Sequence, residues 1–552
     1  MNNTKQQIVY ETRAADMGLG SVLRFNIPSS IQLINNQETY LKFNVVVNSA
    51  GFNVLDPPLE GEADVSHWYP WTTGKGGMSN LIKNLIIKTA DGVTVETITD
   101  YNRLNRVLCN YTLNSTEHNL NNLYAGADTE KVTAINTLTR RNIASGGGES
   151  ATEQSQSNQT IEVCLPLKLS GIFSNPNPYP NLLAPLQIEI QLEEDAFNVV
   201  HAQSYTQGGD DLSFMNVKDL QNVAGGYTDD FVYRIDGDFD TANMTYCDLI
   251  TVDSGLLADF IETGAIDNTN FANHPFWPGQ VVIIESSNGD EQVTIDKVSH
   301  VNGKLRLTFQ DTLEVFTDQT NEDPKIYIDE ISDIPTITLS NIQMVVGSVD
   351  PSPQQLQAMS SAIKKGYSYN FRSWYDFPVN IGSNVNSASN LINCKFRRCK
   401  AILSYIQRLD DATSVLKDNL MPEILTTLNP INYQYKLGGL LVPNRKVDTS
   451  RYVRTRAQVG GWSAVHVKEL EQGLACCGLP LKDLSNIDGG FLMARGLVTR
   501  NSGFTYDMSG NEESRFNINF GPSGNTKNTM NHNVVCHLKT LVITESGKFI
   551  DE

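Results

Sequence analysis

The sequence predicts an all-β chain folded as two antiparallel β-sandwiches in tandem, with a β-rich insertion in the first and a few short helices. Three observations predict it. Apolar residues recur with a period of two along most of the chain, as in strands with one buried face. Asn-Gly and Asp-Gly pairs sit between such runs, where tight hairpins need them. One well-capped helix, 353–365, separates two strand-rich halves.

In chain order, Leu41, Phe43, Val45 and Val47 alternate with Lys42, Asn44 and Val46. Asp91-Gly92 joins Leu85-Ile86-Ile87 to Val93-Thr94-Val95 as a hairpin. A helix is expected near 98–111, with Ile98, Tyr101, Leu104 and Leu108 on one side. The polar stretch 113–160, with Gly146-Gly147-Gly148, reads as a long exposed loop. Ile161, Val163, Leu165, Leu167 and Leu169 form the next alternating run, followed by Ile188, Ile190 and Leu192. Hairpins at Asn288-Gly289 and Asn302-Gly303 mark a separate block. Ile337 and Leu339 lead into Ile342, Met344 and Val346 with a change of phase at Asn341. The helix 353–365 has Ser352 as N-cap, Pro353 at its first position, Gln355 closing a capping box, Gly366 beyond its end, and a Leu356, Met359, Ile363 stripe. A further helix is expected near 464–476, and Phe516, Ile518 and Phe520 alternate near the C-terminus. The expected domains are 1–352, carrying an insertion at about 198–332, and 353–552. Without the insertion the halves match in size, which points to duplication, although no residue-level repeat relates them.

Composition narrows the function. The chain has 552 residues and a net charge of −20, from 62 acidic and 42 basic residues. A protein that works by neutralising phosphates would be basic, so sequence-specific nucleic-acid binding is not expected. Residues 189–240 hold 12 acids against Lys218 and Arg234, a solvated face in the plain reading and a cation site in the sharper one. None of the eight cysteines forms C-x-x-C, which fits free thiols in a reducing compartment. Residues 1–7 contain no apolar run, so no secretory signal is expected, and no segment has the length of a membrane span.

A search for chemistry returns little. The eight histidines are dispersed. His532 and His537 lie an odd offset apart in a predicted strand, on opposite faces. Glu193-Glu194-Asp195 reads as a charged strand end, and Gly521–Lys527 lacks the residue order of a phosphate loop. No catalytic residue, cofactor or metal site is expected. The candidate interface residues are Trp68, Tyr69 and Trp71, in the densest aromatic cluster, and Arg451, Arg454 and Arg456, in a basic run. A second basic cluster comprises Lys395, Arg397, Arg398 and Lys400.

Val163-Cys164-Leu165-Pro166-Leu167-Lys168-Leu169-Ser170-Gly171-Ile172-Phe173, followed by Tyr179-Pro180-Asn181-Leu182-Leu183-Ala184-Pro185-Leu186-Gln187-Ile188-Glu189-Ile190, resembles the first roll of a known family. So does Ile337-Thr338-Leu339-Ser340-Asn341-Ile342 with its following helix, and Arg515–Phe520 with the strand at about 534–545 resembles the end of the second roll. These segments look like those of the double jelly-roll major capsid proteins of the tectivirus, adenovirus and giant-virus lineage, most of all the virophage and polinton-like branch. The resemblance implies two eight-stranded jelly rolls, homotrimers acting as pseudohexameric capsomers of an icosahedral DNA-virus capsid, and an outward-facing tower at the insertion. It also implies penton and minor capsid proteins as partners, a place in the virion capsid, assembly inside the host cell, and no enzyme activity. The alternative is a carbohydrate-binding or glycan-hydrolysing β-sandwich using Trp68 and Trp71 as a platform.

Overall fold

The computed structural model describes residues 4–11, 16–48, 71–126, 161–202, eight short segments between 205 and 328, and residues 336–409, 419–420, 422, 430–451, 461–482, 491–498, 504–510, 513–520 and 528–551.

The same eight-strand topology occurs twice. The first set comprises, in chain order, Thr4–Tyr10, Val22–Asn26, Leu33–Asn48, Ile82–Thr89, Thr94–Ile98, Ile161–Leu165, Leu186–Leu192 and Thr336–Val349. One sheet runs first-eighth-third-sixth, with Met17–Gly18 also paired to the eighth, and the other runs second-seventh-fourth-fifth. The second set comprises Tyr367–Asp376, Ser387–Ile392, Cys399–Arg408, Pro430–Leu437, Leu440–Asp448, Leu492–Gly496, Ser514–Phe520 and Thr529–Thr544. Its sheets repeat the two orders, with Val379–Ile381 and Gly547–Asp551 added to the eighth strand. Each set is therefore an antiparallel eight-stranded jelly roll.

Alternation drives the sandwich. Leu186–Leu192 and Ser514–Phe520 each bury every second residue, so Leu186, Ile188, Ile190 and Leu192, like Phe516, Ile518 and Phe520, face inward. Each such side chain contributes about 1.5–3 kcal/mol by leaving water. The phase change at Asn341 is a bulge inside one continuous strand. Asn341 takes φ 51° and the register against Leu33–Asn48 shifts between Ser340 and Gln343. Asn tolerates that left-handed conformation better than a β-branched residue would. The Asp91-Gly92 hairpin forms between Ile82–Thr89 and Thr94–Ile98, with Gly92 at φ 87°.

Between the seventh and eighth strands of the first roll stands a closed barrel. Its order is Tyr233–Ile235, Tyr246–Ile250, Lys304–Phe309, Gly289–Val301, Val281–Ser286 and Lys325–Ile328. The strands flanking Asn288 and those flanking Asn302-Gly303 pair antiparallel within it.

Helices fill the same connection in both rolls, between the fifth and sixth strands. Tyr101–Thr112 and Ser115–Ala125 lie there in the first roll and Ala464–Cys476 in the second. The helix Ser115–Ala125 corrects the expectation of a loop over 113–160. Asn114 accepts from the Glu117 amide and Glu117 returns the bond, a reciprocal cap that starts a helix despite its polar composition. The rest of that stretch, 127–160, lies outside the described residues. Pro353–Lys365 forms with the expected cap, and its Leu356, Met359 and Ile363 stripe is only half-buried.

Candidate functional site at the seam between the rolls

One continuous apolar core runs from Met17 in the first roll to Ile543 in the second. The rolls meet along the first strand of the second roll, Tyr367–Asp376, which packs on the fifth strand of the first and on residues 169–177. The Trp374 indole Nε1 donates to the Leu169 carbonyl at 3.1 Å. Asn175 Nδ2 donates to the Asn370 carbonyl at 2.8 Å, and Tyr369 Oη donates to the Asn177 carbonyl at 3.0 Å. Asn36 Nδ2 reaches the Asn177 carbonyl at 2.7 Å and Tyr369 Oη at 3.2 Å. The Tyr179 and Tyr369 rings meet edge to face, 5.2 Å apart.

Gly171 fixes how closely the rolls approach. A Cβ there would lie 1.5 Å from the Arg372 carbonyl oxygen, so only glycine lets the two main chains touch. Beside it, Glu96 is fully buried, accepting from Ser170 Oγ at 2.6 Å and from the Gly171 amide at 2.9 Å. Burial pushes its carboxyl above the ordinary range, against the pull of those two donors and the Lys539 charge. Ion pairs Lys482–Glu117 and Lys548–Asp91 add charged contacts between the rolls.

Further along the seam, Thr99, Asp100 and Leu104 of the first roll face Trp374, Asp376, Tyr405 and Val534 of the second across a narrow cleft. His532 Nδ1 lies 2.5 Å from Asp376 Oδ2, and both side chains are buried. His532 also stacks on Tyr405, ring centroids 4.8 Å apart. Burial, then the charges of Asp376 and Asp100, push the Tyr405 phenol well above its usual range, with Arg103 opposing. His537, five residues on and on the opposite face, instead stacks on Phe396 at 3.8 Å.

The expected interface residues are described only in part. Trp71 lies in a two-residue strand paired with His201–Ala202, and Arg451 pairs with Gly461. Trp68, Tyr69, Arg454 and Arg456 lie outside the described residues, as do Gly521–Lys527 and most of the acidic stretch beyond 202. Of the other basic cluster, Lys400 Nζ donates to the Phe504 carbonyl at 2.7 Å and Arg398 Nη2 to the Asp551 carbonyl at 2.8 Å. Those two side chains are tied internally, whereas Lys395 and Arg397 are exposed. Glu189 pairs with Lys88 at 2.9 Å and Arg24 at 3.2 Å, which hold its carboxyl below the usual range. All eight cysteines carry free thiols; Cys164 and Cys476 are half-buried and the other six buried.

Two copies of one jelly-roll topology, fused along a buried seam, define a double jelly-roll protein. Among solved structures, the Faustovirus major capsid protein matches 99% of this chain and 91% of its own, at 7% identity and a TM-score of 0.54. PBCV-1 VP54, from a crystal structure fitted into a reconstruction of the virophage Sputnik, matches 100% of this chain and 97% of its own at 8% identity and a TM-score of 0.48. The mavirus major capsid protein matches 99% and 90% at 8% identity and a TM-score of 0.43. No protein-family model and no curated protein matches the chain.

Proposed function

We propose that the chain is the major capsid protein of a DNA virus, self-assembling into pseudohexameric homotrimers that tile an icosahedral shell. The observation that carries this is the full-length match of its fold to the Faustovirus major capsid protein, both rolls included. Full-length coverage favours this reading over a carbohydrate-active sandwich, which needs only one roll. Its mechanism is interface chemistry rather than catalysis. The chain divides at the helix Pro353–Lys365, the barrel between the seventh and eighth strands is the outward tower, and Trp68, Tyr69, Trp71, Arg451, Arg454 and Arg456 contribute to subunit contacts. Further partners are neighbouring capsomers, penton and minor capsid proteins, with assembly inside the host cell.

Exposed strand edges support the reading. Thr4–Tyr10 ends its sheet and turns Ile8 and Tyr10 to solvent, 53% and 64% exposed. Leu440–Asp448 ends another and exposes Leu440 and Leu441. Bare apolar edges invite pairing and are normally covered. Light scattering behind a sizing column tests the proposal. A closed trimer of about 183 kDa, three times 61.1 kDa, is expected. A stable, folded monomer at all concentrations would overturn it.

A further inference from the structure

At the cleft on the seam, Asp100 and Asp376 of the lining and His532 bonded to Asp376 form a donor set that the capsid role does not use. Asp100, Asp376 and His532 each offer one ligand atom, and these atoms lie within 4.8 Å of one another. They come from three distant parts of the chain. Asp100 precedes the helix Tyr101–Thr112, Asp376 ends the first strand of the second roll, and His532 lies on its eighth strand.

Asp376 Oδ2 and His532 Nδ1 bond each other, but the second polar atom of each buried side chain is unpartnered. Asp376 Oδ1 and His532 Nε2 have no hydrogen-bond partner, and their side chains are 5% and 2% exposed. Buried polar atoms are normally satisfied, so the open atoms of Asp376, which lines the cleft with Asp100, and of its partner His532 point to a missing partner. Asp100 adds to this. It occupies the N-cap of its helix in a left-handed conformation, φ 48° and ψ 44°, yet its carboxylate caps no helix amide. An aspartate there ordinarily accepts from the first turn.

We propose that Asp100, Asp376 and His532 bind one divalent transition-metal ion, zinc in the first instance, which staples the first roll to the second. One imidazole and two carboxylates suit zinc or manganese better than calcium or magnesium, which favour oxygen-only shells. Zinc bonds of about 2.0–2.2 Å place tetrahedral donors about 3.4 Å apart, so small side-chain rotations complete the set. Three protein donors leave a position for water. Asp100 is half-exposed and gives the ion a path from solvent. The site does not depend on the capsid reading, because all three donors belong to one chain.

The test is titration of the chelator-stripped full-length chain with cobalt(II) chloride, followed by visible absorption, and then displacement by zinc chloride. One ion per chain is expected, with a rise in the unfolding temperature on zinc binding. Asp100→Asn, chosen because Asp100 is not fully buried, and His532→Gln should each weaken binding by more than the roughly 10- to 100-fold that loss of an outer-shell partner costs. Asp100→Asn should also remove the zinc-dependent thermal shift while keeping the far-ultraviolet dichroism of the parent. The exposed acid variant Glu545→Gln should bind as the parent does. Absence of stoichiometric binding in the parent, or unchanged binding in Asp100→Asn, would overturn the proposal.

Discussion

Replacing Gly171 by alanine forces the two rolls apart. The new Cβ would lie 1.5 Å from the Arg372 carbonyl oxygen, 2.5 Å from its carbon and 2.8 Å from its nitrogen. An ordinary contact is 3.4–4 Å, and all three atoms are backbone of the strand Tyr367–Asp376, so no side chain can swing away. The seam must open by about 2 Å, and overpacking of this kind costs about 1–3 kcal/mol. The opening also stretches the bonds that cross it, from Trp374 to Leu169 and from Asn175 to Asn370. At about 0.5–1.5 kcal/mol each, added to the overpacking, the total comes to roughly 2–6 kcal/mol. Urea unfolding of the purified chain, read by tryptophan fluorescence and far-ultraviolet dichroism, measures it. Gly382→Ala is the control, since a Cβ there meets nothing within 4 Å. If Gly171→Ala unfolds within about 1 kcal/mol of that control, the close approach of main chains does not hold the rolls together.

Three other outcomes follow from the same contacts. Glu96 has its folded-state pKa raised above 4.5, so the folded chain holds the extra proton and stability falls as pH rises from 4.5 through the raised value. Unfolding curves across that window should be flatter for Glu96→Gln, and an unchanged slope would remove the assignment. His537 behaves oppositely. Burial depresses it from 6.5 to about 3, so its contribution, up to roughly 4–5 kcal/mol, is present above pH 6.5 and lost as pH falls toward 3. His537→Phe, which keeps the stack on Phe396, should therefore resist acid better than the parent, as acid titration of the fluorescence would report. Finally, the double variant Ile8→Asp with Tyr10→Asp should fold with near-parental stability, since both side chains are exposed, yet fail to reach the trimer mass by light scattering.

Much of the fold was legible because strands demand little beyond alternation and hairpins little beyond a residue that accepts positive φ. The phase slip at Asn341 predicted a discontinuity, and the structure makes it a bulge in one strand. The Ser352–Gly366 signals fixed their helix. The helix Ser115–Ala125 escaped because its apolar periodicity is weak, although Asn114 and Glu117 stand at capping-box spacing and could have revealed it. The seam was not legible. Asp376 and His532 are 156 residues apart, and nothing in the sequence around Gly171 points to Arg372, the residue it touches. Such contacts are set by how two finished rolls dock, and no local spacing encodes that.

The docking is asymmetric, and the asymmetry bears on assembly. In the second roll the first strand is covered, with Phe371 and Trp374 buried and Trp374 bonded to the first roll. Its topological counterpart in the first roll, Thr4–Tyr10, leaves Ile8 and Tyr10 bare. Two rolls joined face to face would hide both counterparts equally. Here the first strand of one roll meets the helix-bearing side of the other, a head-to-tail contact whose free ends remain unlike each other. Head-to-tail contacts extend until a rotation closes them. In the trimer proposed above, such a contact would cover the Ile8 and Tyr10 edge with the second roll of the next subunit.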